Sequence, residues 1–292
     1  MTPGPATGNA VPTYLSVFPE TFEREKMRIS RLILCAVIAA SAVTLCAQEA
    51  ATGFHRVACV KLKAGMAHEF TEWAAGDMHK YAQSRANSGA VSKWYLLSSV
   101  IPQGESAQCD YIMVSIYSGL PSPPMERDDL VAALKQASIS ATAQEFVDKR
   151  NSMVTLISND MFRTIAAVGS PKKGDYFIVN YMKVTNMDDY LAYEKKVWVP
   201  FAEGLAKDGS RTGWSLNERV FPSGANTPFQ AVTVDIVPSW KEIFQPSGDF
   251  ASTFRKSHPD MELGTTFEQY EKLRTIISTN VFHLDDEVSA AK

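Results

Sequence analysis

The chain carries much of its own sequence twice. Shifted against itself by 121 residues, VACVKLKAGM (57–66) lies on IVNYMKVTNM (178–187). After a one-residue slip, SKWYLLSSVIPQG (92–104) lies on TGWSLNERVFPSG (212–224), matching Trp94 with Trp214, Leu96 with Leu216, Pro102 with Pro222 and Gly104 with Gly224. A third match, MVTLISNDMF (153–162) on LRTIISTNVF (273–282), follows in the same order at 120. Three matched segments at nearly one spacing mark a duplication, and a duplicated unit with an uncovered apolar face has its own copy at hand to cover it.

Each copy reads strand, helix, strand, strand, helix, strand. In the second, 176–184 is rich in β-branched and aromatic residues and predicts a strand. Over 187–207, Leu191, Trp198, Phe201 and Leu205 recur on one helix face, with Asp188 and Asp189 in the favourable first turn and Pro200 as an expected kink. Strands are expected at 213–220 and 229–237 around PSGANTP, then a helix at 263–277 and a closing strand at 279–284. The first copy predicts strands at 55–62, 91–100, 110–117 and 156–165, with helices at 66–86 and 126–152. This α+β order is the ferredoxin-like βαββαβ pattern, whose sheet has helices on one face only. Two modules, 54–168 and 174–288, are therefore expected to pack sheet to sheet.

On this duplication and topology the chain resembles the dimeric α+β barrel superfamily, in which paired ferredoxin-like modules pack face to face as subunits or tandem domains. The resemblance spans nearly all of 54–288 and implies an intrachain α+β barrel enclosing a cavity. The segments WVP, GWSLNERVFPSG, FQAVTVDI and KSHP also look like those of a group of uncharacterised exported bacterial proteins, a likeness that implies no chemistry.

Ahead of the repeats, residues 27–47 (MRISRLILCAVIAASAVTLCA) place Arg28 and Arg31 before an apolar run and end in a cleavable small residue, Ala47. That is the layout of a secretory signal peptide with Met27 as the start, and its apolar run of about 14 residues is short of the roughly 20 that span a bilayer. Export to the periplasm or outside the cell follows as the expectation, with no membrane span after cleavage. A lipid anchor on Cys46 is disfavoured by bulky Leu45. Removing residues 1–47 leaves 25 basic against 29 acidic residues, a net charge of −4, without the concentrated basic surface that nucleic acid requires. Cys59 and Cys109 remain and can pair in an oxidising compartment, although their spacing does not force it. Oligomeric state is left open.

The densest polar cluster is His68, Glu72, Asp77 and His79. His68 and Glu72 are four apart on one helix, and His79 is eleven beyond His68, near a whole number of turns. Two imidazoles with carboxylates suit a transition metal; a solvated face of charge pairs is the alternative. The second copy has Asp189, Glu194 and Lys195 there but no histidine, which excludes a duplicated metal site. Glu194, Trp198, Trp214 and Arg219 form a candidate ligand pocket, a carboxylate, two indoles and a guanidinium for a small polar or aromatic molecule; the alternative makes both indoles core residues. His258, before Pro259, is a catalytic candidate or a turn residue, and His283 lies near Asp285 and Asp286.

Phosphate-binding glycine motifs and the G-x-S-x-G nucleophile elbow are absent. Two functional classes remain. One is an exported protein binding a small ligand or envelope component between its modules. The other is an oxidoreductase or isomerase of the paired-module type, cofactor-free or haem-dependent, using His68, His79 or His258; the G-x-x-D-G motif of haem-peroxidase relatives has no match, and no cofactor is assigned. Binding predicts an apolar cavity at the seam. Catalysis predicts a histidine there within about 3.5 Å of a carboxylate, or beside an open ligand position.

Overall fold

The computed structural model describes residues 53–121 and 127–290; the expected leader, Met27 and Cys46 lie outside them. The first repeat supplies β1 (Phe54–Leu62), β2 (Lys93–Ile101), β3 (Tyr111–Ile116) and β4 (Val154–Gly169). The second supplies β5 (Tyr176–Val184), β6 (Gly213–Phe221), β7 (Ala231–Val237) and β8 (Arg274–Ser289). They close into an antiparallel barrel in the order β1-β3-β2-β8-β5-β7-β6-β4, the expected intrachain α+β barrel.

Closure depends on the last strand of each repeat. β4 pairs with β1 from Val154 to Arg163 and, from Met161 to Gly169, with β6 of the other repeat. β8 does the same, pairing with β5 from Arg274 to His283 and with β2 from Val281 to Ser289. Both strands exceed their expected bounds because each completes one sheet and then starts the seam with the other.

Helices cover the outside. The first repeat has α1 (Ala67–Trp73) and α2 (His79–Asn87), joined by a π turn at Ala74–Met78, then α3 (Arg127–Gln136) and α4 (Ala143–Met153). The second has α5 (Met187–Asp208), α6 (Trp240–Phe244), α7 (Phe250–Ser257) and α8 (Leu263–Leu273). The slip in the repeat lies ahead of these helices. The N-caps Met66 and Asn186 are 120 apart, as are the left-handed Gly89 and Gly209 after the helices, whereas the strand register sets β1 against β5 at 122, Leu62 matching Val184. The connection from first strand to first helix is thus where the copies differ in length, and the expected 121-residue match of 57–66 with 178–187 is one residue out of register with the sheet.

The expected helix at 126–152 is two helices. Ser138 turns the chain with φ 56°, and Thr142 starts α4 afresh, its side chain accepting from Glu145 N while Glu145 accepts from Thr142 N. The expected helix at 263–277 stops at Leu273, because β-branched Thr275, Ile276 and Ile277 continue as β8. Residues 240–257, left unassigned by the periodicity, form α6 and α7.

Three apolar clusters result among the described residues. One lies between sheet and helices of the first repeat around Phe70, Trp94 and Phe146. A second lies in the same place in the second repeat around Tyr190, Phe201 and Trp214. The third, around Leu97, Phe162, Phe177 and Phe282, lies between the two sheets.

Candidate functional site

Strand alternation sends one set of side chains outward to the helices and the other inward. On β1, Arg56, Ala58 and Val60 face the helix side, while His55, Val57 and Cys59 face the barrel interior. The inward sets of both repeats enclose a lumen of about 510 Å³ at the seam, mostly apolar and including Leu97, Val114, Val179, Val234 and Ile236.

The register defines which lumen positions are equivalent. His55 pairs with Ile116 and Phe162, and Phe177 pairs with Ile236 and Phe282. His55 thus stands where the second repeat has a phenylalanine. It stacks on Phe162 with ring centroids 5.2 Å apart, and its Nδ1 shares a 3.2 Å hydrogen bond with Thr164 Oγ1. Burial holds its pKa down to about 4, so the ring is neutral at physiological pH.

Farther along the lumen, Asp160 is 8% exposed and accepts from Ser158 Oγ at 3.0 Å and Arg219 Nη2 at 2.7 Å. Arg219 lies over the Phe229 ring at 4.3 Å, and its Nε and Nη1 are buried without a hydrogen-bond partner. Burial, then the Asp160 charge, pushes the Tyr181 hydroxyl up to about 12, and burial raises that of Tyr95, so both remain neutral donors. Cys59 and Cys109 are disulfide-bonded with Cα atoms 5.3 Å apart. The equivalent places in the second repeat hold Tyr181 and Phe229, in edge contact at 4.9 Å.

The residues singled out from the sequence are dispersed. His68 pairs with Glu72 at 3.3 Å on an exposed face, and Lys80 Nζ is 3.9 Å from Asp77. His79 instead bonds Asp286 at 2.6 Å, tying α2 to the far half of β8. Among the described residues no three His, Cys, Asp or Glu side chains are grouped to hold a metal ion. His258 is buried, its Nε2–H donating to Val197 O at 2.8 Å, a structural tie from α7 to α5. His283 bonds Asp285 at 2.6 Å.

Of the expected pocket, Trp198 and Trp214 come together, stacked at 6.4 Å in the helix-side core. Arg219 does not join them: an odd number of residues from Trp214 along β6, it faces the opposite side of the sheet. Glu194 is 1% exposed beside Tyr190 and Tyr270, whose hydroxyl is 3.5 Å from Glu194 Oε2. Burial outweighs these hydrogen bonds and the Arg274 charge, raising its pKa to about 7. These four residues therefore do not line one pocket.

A haem does not fit the imidazoles present. His258 is committed to a backbone carbonyl, His68, His79 and His283 are paired with carboxylates, and His55 opens onto the strand-enclosed lumen. His55, Asp160, Tyr95 and Tyr181 escaped the sequence reading; the 121-residue match sets His55 against Tyr176, and the strand register, at 122, shows that its counterpart is Phe177.

No family model matches the chain, and no curated protein matches it. Among solved structures, it is similar to two proteins described as putative monooxygenases. The one from Fusobacterium nucleatum is 8% identical, with TM-score 0.50 and coverage of 82% of this chain and 95% of that one. The one from Lactobacillus acidophilus is 10% identical, with TM-score 0.49 and coverage of 82% and 96%. A dye-decolorizing protein from V. cholerae is 11% identical, with TM-score 0.39 and coverage of 82% and 94%. At these identities the likeness is one of fold.

Proposed function

We propose that this is an exported binding protein whose barrel lumen takes one small, largely apolar molecule bearing a hydrogen-bond acceptor. The observation that carries the reading is the apolar seam cavity lined by a few polar groups, among them His55, Asp160 and the neutral Tyr95 and Tyr181 hydroxyls. Such a lining is the usual composition of a small-molecule site, and the Tyr95 and Tyr181 hydroxyls are donors for an acceptor on the bound molecule. Export is supported by the leader-like residues 27–47 and by the Cys59–Cys109 bond, which an oxidising compartment maintains.

Calorimetric titration with 2-naphthol tests the site. One-to-one binding is expected, weakened about ten-fold or more by Val234→Phe, which narrows the lumen, corresponding to about 1.4 kcal/mol. Absence of saturable heat with 2-naphthol, together with no bound mass in the native mass spectrum of protein taken from its own compartment, would sink the reading.

The neutral His55 favours a second reading, a cofactor-free oxidoreductase or isomerase. With Nδ1–H donating to Thr164 Oγ1, Nε2 is a free base in the lumen, and its low pKa restricts it to acidic protons such as an activated C–H or a phenol. In that case His55→Phe abolishes turnover while 2-naphthol still binds; full turnover by this variant excludes His55 as the base.

A further inference from the structure

We infer that the first repeat holds a second site, separate from the lumen, for an organic anion with an apolar body. Between its sheet and helices lies a cavity of about 340 Å³. Arg56 of β1, Arg85 of α2 and Arg150 of α4 all line it, and among the described residues no Asp or Glu does. Among the described residues none of the three forms an ion pair. Arg85 Nε is buried without a partner while the same guanidinium hydrogen-bonds Tyr81, and Arg150 bonds the neutral Asn151 amide oxygen, at 3.2 and 3.0 Å.

The second repeat is the internal control. At the 120-residue offset, Arg85 corresponds to Leu205, Arg150 to Tyr270 and Met78 to Trp198; at the 122-residue offset of β1 and β5, Arg56 corresponds to Ile178. Leu205, Trp198 and Tyr270 belong to the packed helix-side cluster of that repeat. The same scaffold can thus fill this space with side chains, yet in the first repeat it lines it with three cations.

Three guanidiniums without carboxylates leave fixed positive charge in a space otherwise walled by Trp94, Phe146 and Met113. Guanidinium forks match the oxygens of a carboxylate or phosphate, and the surrounding apolar walls suit a flat hydrocarbon body. Tyr81, against which Arg85 lies at 6.0 Å, adds a hydroxyl on the same wall.

Calorimetric titration of the full chain with 1-naphthoate and, separately, 1-naphthyl phosphate tests this. Saturable one-to-one binding of at least one probe is expected, and the tighter one identifies the anionic group. Arg85→Leu/Arg150→Tyr, which copies the second repeat, should weaken it about ten-fold or more, as expected for lost charged hydrogen bonds. Val234→Phe in the lumen should leave it unchanged. Arg85→Gln and Arg150→Gln, measured singly, give the same readout if the double variant does not fold. The inference is overturned if neither probe binds, if the arginine variants bind as the parent does, or if Val234→Phe removes binding.

Discussion

Arg219 on β6 of the second repeat reaches Asp160 on β4 of the first, Nη2 to Oδ1 at 2.7 Å, so a nearly buried ion pair spans the seam. At the symmetry-equivalent positions stand Ser99 and Asn280, a neutral pair. Arg219→Ser alone should destabilise by about 3–5 kcal/mol, because it leaves Asp160 charged and buried without its cation. Asp160→Asn/Arg219→Ser, which reproduces the neutral pair, should recover much of that loss. Urea unfolding at pH 7 measures both, and a double variant no more stable than Arg219→Ser would refute the account.

His55 makes the barrel sensitive to acid. Its folded pKa lies near 4 against an ordinary 6.5, so as pH falls the unfolded chain takes up the proton first. The stability contributed by the neutral ring is present above about pH 6.5 and is lost as pH falls through 4, about 3 kcal/mol in all. His55→Phe, borrowing the residue at the equivalent position, should remove this dependence. Unfolding midpoints measured across that range would show parallel pH slopes for parent and variant if the argument were wrong.

Glu194 has the opposite sign. Its folded pKa is raised from 4.5 to about 7, so the native state holds a proton that the unfolded chain releases. Stability is therefore greatest below about pH 4.5, declines as pH rises to 7 and is level beyond. Glu194→Gln should flatten that decline and leave the variant relatively more stable at pH 8. A steeper alkaline loss in Glu194→Gln than in the parent would contradict the assignment.

The disulfide joins β1 to the chain entering β3 across 50 residues. Cys59→Ser/Cys109→Ser should cost about 2–4 kcal/mol, seen as a lower Tm. Alkylation of the unreduced, denatured parent should label neither residue; quantitative labelling of both would exclude the bond.

The architecture was legible because matched segments such as Trp94 and Trp214 do the same work in both copies, each buried beneath its own helices. The lumen was not. On β1 both faces are covered, so inward His55 and outward Arg56 follow each other without the polar–apolar alternation that marks a half-exposed strand. The expected grouping of Trp214 with Arg219 treated residues close in sequence as facing one space, and the two-residue period of β6 separates them. Nor could local signals reveal that β4 and β8 run on past their own sheets, since the partners of Ala167 and Glu287 belong to the other repeat.

The crossing strands also bear on how two copies of one unit came to differ. Had these halves remained separate, identical subunits, every substitution would appear twice in each assembly, and a cluster of arginines lining one half would line the other. Joined through residues 170–175, each half meets its covalent neighbour at high effective concentration, and the pairing of unlike halves is guaranteed. One side of the molecule is then free to keep a solid, aromatic-filled interior that holds the barrel together, while the other gives up packing for an opening lined with charge.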